Sequence, residues 1–473
     1  MTTNLIELTA TDAIAAMRHG DLRAEDYAVA LLNRCEQCKH LNAFITIDPE
    51  RVLASAREAD RFRDSGAALG PLHGLPIPVK DSVNTKAYPT TGGTYALRNF
   101  IPDEDAGLVR ELVDAGAIVL GKTNIHELSF GWTSNNLTFG TVHNPYDISR
   151  IPGGSSGGTA AAIAAGMSPL GIAEDTQGSI RVPAALCGIY GFRPTTGRYP
   201  ADGVIPITPL FDQPGPHART VIDLILFDDV MTKNETPLTP MSLEGVRLGV
   251  PRSYYFHALD SEVARITGVV LEKLSDAGAV LVEADVPDLE KLLRATTMPI
   301  ELYHVVPMLK AYLEQYGTGV SFDEMMDQAG ADIQTAFSKL IAVGSDEAVA
   351  EAKFQAACDV HLPALKQTFK AYFQSDSLAA MIFPTTRTSA PPIGEDTEIL
   401  VDGKRVRFDG AIAGNISPGS TAGLPGLVLP TGLADNGLPV SIEVDGAAAA
   451  DREVLRLGLA IENAIGRIPA PII

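Results

Sequence analysis

Lys80, Ser155, Ser156 and Ser179 are the residues whose types and settings could open an acyl bond. Ser179 stands in "EDTQGSIRVPAALCG", residues 174–188, a stretch too small and too tightly turned for ordinary helix or strand. A serine hydroxyl attacks a carbonyl only when a base takes its proton. The nearest histidines in the chain, His143 and His217, each lie more than thirty residues away. Lysine offers another base. Lys80 closes the apolar run of "GLPIPVKDS", and burying its ammonium is costly unless it is paired or neutral. Desolvation lowers a lysine pKa, which turns the side chain into a usable base. The competing reading of Lys80 is a strand-end lysine that reaches out to solvent.

"IPGGSSGGTAAA", residues 151–162, sets four glycines around Ser155 and Ser156 and so permits unusual backbone angles and close approach. A phosphate-binding loop would need G-x-x-x-x-G-K-[ST], and the lysine is absent. Gly154 to Gly158 matches G-x-S-x-G, but the loop-like "HNPYDISRIP" before it is not the strand that a nucleophile elbow requires. A plain Gly/Ser turn before an Ala-rich helix is the alternative. Thr176, Gln177, Gly178 and Ser179 present successive backbone N–H groups just ahead of a hydroxyl, an arrangement able to hold an oxyanion.

Taken in order, these stretches resemble the amidase signature family of serine hydrolases. The Gly-Gly-Ser-Ser-Gly-Gly run stands at 153–158, and "DTQGSIRVP" at 175–183 matches the family's Asp-Thr-Gly-Gly-Ser-Ile-Arg-x-Pro block at the family's spacing from Ser155. "GKTNIHELSFG", "NPYDISRIPGG", "GFRPTTGR" and "GLPVSIEVDG" are similar as well. The strong likeness covers about 65–220, with weaker echoes to the end. It implies Lys80 as neutral base, Ser155 as relay after a cis Gly154–Ser155 bond, and Ser179 as nucleophile. It also implies an oxyanion hole at Thr176–Ser179, with Ser156, Asp175 and Arg181 in support. The expected reaction is hydrolysis of a carboxylic acid amide, or a hydrazide, through an acyl-enzyme, without metal or other cofactor.

Gln177 departs from the family glycine. If that position needed positive φ, glutamine there would cost about 1–2 kcal/mol; otherwise its amide is free to shape the pocket. Phe130, Trp132, Tyr303, His304 and Met308 are the other expected pocket residues, an apolar and aromatic set that favours an aryl or alkyl acyl group. The block from Glu174 to Pro200 looks most like hydrolases of arylacetamide type, such as those of mandelamide or indoleacetamide. The alternatives are a glutaminase-type subunit of a tRNA-dependent amidotransferase and a non-catalytic binding protein on the same fold.

The elements that must position these residues read as α/β. Helices are expected after Thr11, from Arg23, at about 49–64, from 105, over "TAAAIAAGM", at 260–277 and at the C-terminal end. Strands are expected at "LPIPVK", "IVLGKTN", "LEGVRLGVPR", "AVLVEADV", "GLPGLVLPTG" and "GLPVSIEVDG". Alternation of this kind predicts a single large domain, residues 1–473, with a central mixed sheet covered on both faces by helices. Residues 65–220 would be its signature core and 255–375 a mostly helical, substrate-side region. Acidic residues number 58 against 37 basic, a net charge of −21 that opposes nucleic acid. No run approaches the ~20 apolar residues of a membrane span, and no signal peptide is apparent. Four cysteines are too few for a disulfide framework, and Cys35-x-x-Cys38 lacks the second pair of a zinc site. A cytoplasmic enzyme acting on a small amide is expected, and a homodimer is compatible with a family whose members are often dimers.

Overall fold

The computed structural model describes residues 4–341 and 348–473. Eleven strands form one mixed sheet. From one edge they run Phe44–Thr46, Ile118–Thr123, Pro76–Lys80, Leu170–Asp175, Gln213–Ala218 and Tyr190–Arg193. Gly426–Leu433, Pro439–Asp445, Ala380–Pro384, Arg247–Gly249 and Val280–Val282 complete it. Pro76–Lys80 is parallel to both its neighbours, whereas the strands from Leu170–Asp175 to Ala380–Pro384 pair antiparallel. The two strands at the far edge are again parallel.

Central strands are buried along their whole length, including Pro76–Lys80, Leu170–Asp175 and Pro439–Asp445. Burial of successive residues means that both faces are covered. The cover includes Gly157–Ala164, every residue of which is buried, and Asp451–Ile465, whose apolar side packs toward the sheet. The Ala-rich composition of the first suits its place. Small side chains let the helix lie close, and at Gly158 a Cβ would come within 2.3 Å of the Asn124 carbonyl and 2.5 Å of that of Ala43.

Two helix starts illustrate local control. Thr9, not Thr11, caps Ala10–His19 by accepting the Asp12 N–H; Thr11 already lies in the first turn and bonds Asp223 instead. The helix Pro49–Asp64 starts as its sequence suggests, with Asp48 capping and proline at the first position. The helical region after 255 holds Ser261–Asp276, Leu289–Gln315, Phe322–Gln328, Ala331–Ile341, Glu351–Ala356 and Leu362–Ser375. Cys35 and Cys38 are free and buried in the first helical layer, and burial pushes the Cys35 thiol up to about 12, a packing role and not a reactive one. Among the described residues no helix is long and apolar enough to cross a membrane.

The tight seat of Gly158 yields a stability prediction. Gly158→Ala forces backbone apart at the strand that precedes Asn124, so the urea midpoint should fall by an amount equivalent to about 1–3 kcal/mol. An unchanged midpoint would show that the helix can lift without cost.

Candidate active site

Lys80 ends its strand with a side chain fully removed from solvent. Its Nζ lies 2.7 Å from Ser155 Oγ and 2.6 Å from Glu174 Oε1. Glu174 is next to last in Leu170–Asp175, the parallel neighbour of the lysine's strand. Sheet register therefore brings amine and carboxyl together. Burial drives the Lys80 ammonium below its ordinary value; Glu174 in contact, then Asp175 and Asp212, pull the other way without cancelling that shift.

Ser155 follows a cis peptide from Gly154. Its carbonyl accepts from the His126 N–H at 3.1 Å and from Ser134 Oγ at 3.3 Å, which fixes the residue that faces the amine. Ser156 donates through Oγ to the Glu174 carbonyl at 3.2 Å and through N–H to the Ser179 carbonyl at 3.3 Å. The Ser155 and Ser179 hydroxyls share no hydrogen bond among the described residues. Ser179 instead lines a cavity.

The turn that carries Ser179 links the strand Leu170–Asp175 to the short buried helix Arg181–Leu186. Asp175 organises it. Its carboxylate accepts from the N–H groups of Gly178 at 2.8 Å and Ile180 at 3.1 Å, and pairs with Arg181 at 3.1 Å and Arg193 at 3.2 Å. All three charged side chains are buried. Burial alone would raise the Asp175 pKa, but the two guanidinium groups outweigh it and hold the carboxyl well below its usual range. His217 is tied to the same turn, its Nε2 2.7 Å from the Ile180 carbonyl. Burial lowers that imidazole to about 4, so it is neutral at pH 7 and spent on structure.

The left-handed residue of the turn is Gly178, with φ +102°, and Gln177 stays outside that region. Glutamine at 177 is therefore unstrained. Its Oε1 accepts from Ser417 Oγ at 2.7 Å, and its carbonyl accepts from Trp132 Nε1 at 2.8 Å. Because the Gly178 N–H is committed to Asp175, the expected oxyanion donors narrow to Thr176, Gln177 and Ser179. The last two meet no acceptor among the described residues. Thr176 Oγ1 donates to Asp212 at 2.6 Å, and burial raises that carboxyl to about 7.

Above Ser179 the cavity measures about 520 Å³. Of the expected wall residues, Phe130, Trp132 and Gln177 line it. Tyr303 and His304 do not. Tyr303 stacks on Phe354 with centroids 4.1 Å apart, and His304 Nδ1 lies 2.8 Å from Thr208 Oγ1. Met308 is likewise absent from the lining, because the helix Leu289–Gln315 turns Leu293, Thr297, Met298 and Glu301 to the cavity. Glu174, Glu301, Tyr254 and Ser417 were not expected at the site from sequence. For Glu174 a signal existed: a charged residue beside Asp175 at the end of an apolar strand must find a buried partner.

The Amidase family model matches residues 26–455. The chain belongs to the amidase signature family. It is an amidase, a hydrolase of amides, with the α/β architecture of that family. Among similar proteins, an indoleacetamide hydrolase of Agrobacterium vitis is 38% identical over 450 residues, which cover 94% of this amidase and 95% of the relative. A mandelamide hydrolase of Pseudomonas putida is 36% identical over 483 residues, covering 99% and 93%. The X-ray structure of native peptide amidase from Stenotrophomonas maltophilia superposes with a TM-score of 0.80 at 28% identity, over 98% of each chain.

The Asp175 cluster fixes an expectation for this amidase. Asp175→Ala leaves Arg181 and Arg193 short of a counter-charge and strands the Gly178 N–H, so it should destabilise by about 3–5 kcal/mol in urea unfolding at pH 7. Since the folded carboxyl is depressed, its contribution is complete above the unfolded value of about 3.9 and is lost as pH falls through the folded one. The variant's deficit should therefore shrink below pH 4.

Proposed function

We propose that this amidase hydrolyses arylacetamide-type primary amides, with Ser179 as nucleophile, Ser155 as proton relay and Lys80 as base. The observation that carries the reading is the pairing of a solvent-free Lys80 Nζ with Ser155 Oγ at 2.7 Å, together with a cavity lined by Ser179. The names of the relatives, hydrolases of indoleacetamide and mandelamide, point to the same substrate class. So does the lining, in which Phe130, Trp132, Ile207, Tyr254 and Met298 offer apolar surface to an aryl group.

In this scheme neutral Lys80 accepts the Ser155 proton while Ser155 takes that of Ser179, once the Ser179 hydroxyl has rotated toward it. Ser179 Oγ bonds to the acyl carbon, and the carbonyl oxygen gains charge toward the Gln177 and Ser179 N–H groups. Collapse returns the proton through Ser155 to the leaving nitrogen, and ammonia departs. Water then attacks the acyl carbon while its proton passes through Ser155 to Lys80; collapse breaks the bond to Ser179 Oγ, returns that proton to it by the same relay, and frees the carboxylic acid. Ser156, Asp175 and Arg181 act by holding the turn. Unpaired cysteines at 35, 38, 187 and 358 suit a reducing, cytoplasmic setting.

Two experiments test this. Intact mass after a fluorophosphonate should show one adduct at Ser179, and Ser179→Ala should lose at least ~10⁴-fold in kcat on indole-3-acetamide. Turnover of glutamine alone, with no activity on aryl amides, would favour the amidotransferase subunit instead. The second concerns pH. Glu174 raises the Lys80 pKa, so Glu174→Gln should lower it further and free more amine at a given pH. The acid limb of kcat/KM should move to lower pH by roughly one unit, equivalent to ~1.4 kcal/mol. A limb that stays in place would mean that another group is the base.

A further inference from the structure

Glu301 and Asp409 are the carboxyls of the cavity lining without a use in the reaction scheme, and Asp409 is paired with Arg407 at 2.6 Å. Glu301 lies on the helix Leu289–Gln315 and lines the same space as Thr176 and Ser179. The carboxyls around Ser179 are engaged: Glu174 with Lys80, Asp175 with two arginines, and Asp212 with Thr176 and the N–H groups of Ile207 and Thr208. Glu301 has no hydrogen bond or ion pair to any described residue.

Burial raises the Glu301 carboxyl to about 8, and the nearby Asp212 adds to the effect. The other charged groups of the lining are Arg294 on its own helix, Lys339 on the helix Ala331–Ile341, and Asp409 across the cavity. At neutral pH Glu301 is thus chiefly a neutral acid, with one O–H donor and one carbonyl acceptor. A carboxyl without a partner, set beside the apolar surfaces of Ile207, Leu293, Met298 and Leu302, becomes a selector. It favours a ligand that completes its hydrogen bond and rejects the isostere that cannot.

We propose that Glu301 is a specificity residue that reads a neutral hydrogen-bond donor on the acyl group, such as a ring N–H or a hydroxyl. Substrates of this amidase are then arylacetamides carrying one such polar atom, in preference to wholly apolar ones. The proposal rests on the arylacetamidase reading and adds to it the feature by which one aryl group is told from another.

The test compares indole-3-acetamide with 1-benzothiophene-3-acetamide, which keeps the ring shape and replaces the N–H by sulfur. Wild type should favour the indole by at least 10-fold in kcat/KM, chiefly through KM. Glu301→Gln retains a carbonyl acceptor and should keep most of that ratio, whereas Glu301→Leu should bring it near one. Rescue by glutamine separates recognition from a structural role, and thermal melts of both variants report on folding. Equal wild-type rates on the two amides, or a Glu301→Leu enzyme that keeps the preference, would overturn the role of Glu301 and leave the arylacetamidase reading intact. A wild-type preference for phenylalaninamide over both would make Glu301 an ammonium site, which also overturns it. Turnover of neither aryl amide would remove the reading and the proposal together.

Discussion

A single dehydrated amine sets the conditions for everything around it. Lys80 has no contact with solvent, and an isolated ammonium in that position would be expensive. Two responses are visible in the structure. The pKa falls, which makes the neutral form accessible, and a carboxyl from the adjacent strand takes up a position 2.6 Å away. These responses oppose one another. Burial without Glu174 would leave the amine neutral but loosely placed, whereas Glu174 in an open site would keep it charged. The sheet resolves the conflict by supplying both partners from parallel neighbouring strands, so that their separation is set by backbone register and not by side-chain rotamers. Water exclusion then depends on the helix Gly157–Ala164, which carries no side chain larger than isoleucine and can lie close to the strands.

A similar balance of charge holds the turn that carries Ser179. Arg181 and Arg193 face Asp175, Glu443 and Asp445, all of them buried. Two cations and three carboxyls would leave a net negative charge in the interior. The excess is eased at Glu443 and Asp445, where burial raises both carboxyls and Arg181 only partly offsets it, which favours a proton held by the pair. The cluster thereby approaches neutrality, and Asp175 is left as the fixed carboxylate that accepts the Gly178 and Ile180 N–H groups. Strands near the end of the chain thus hold a turn formed more than 260 residues earlier, since Arg181 Nη1 meets Glu443 at 2.6 Å.

Residues with strong local signals were legible in the sequence. The strand Pro76–Lys80, the helix Pro49–Asp64 and the Gly/Ser run at 153–158 all depend on nearby composition, and the structure places them where their patterns put them. The strand Gln213–Ala218 was not, because "QPGPHA" has two prolines and reads against a central strand. It is tolerated because Tyr190–Arg193 pairs only with His217 and Ala218, leaving Pro214 and Pro216 beyond that ladder. The short hairpin Glu398–Val401 with Lys404–Arg407 had no distinct alternating pattern, and its one local signal was the Asp402-Gly403 turn, both residues of which take positive φ. At the site, the Gly/Ser and Asp-Thr-Gln-Gly-Ser motifs pointed to Ser155, which meets Lys80, and to Ser179, which lines the cavity, but the wall did not follow. Which of Tyr303, His304, Thr297 and Glu301 faces the cavity depends on how the helix Leu289–Gln315 is rotated, and its apolar residues surround it too evenly to fix that.

The position of Gln177 shows why machinery and wall can vary separately. Backbone strain in the turn falls on Gly178, whose φ of +102° excludes a side chain, and not on its predecessor. Position 177 can therefore carry a long amide without disturbing Ser179. The Gln177 side chain uses that freedom to reach Ser417 on the helix Ser417–Ala422, joining the signature block to the C-terminal wall of the cavity. Lys80, Ser155 and Ser179, the proposed base, relay and nucleophile, come from strands and turns before residue 182, where spacing is held by the sheet. The cavity walls come largely from 293–302, 336–340 and 409–417. Substitutions in those later segments alter the shape and polarity met by a substrate while leaving the Lys80–Ser155 contact untouched. A fold arranged in this way can change the amide it accepts without rebuilding the means of cleaving it.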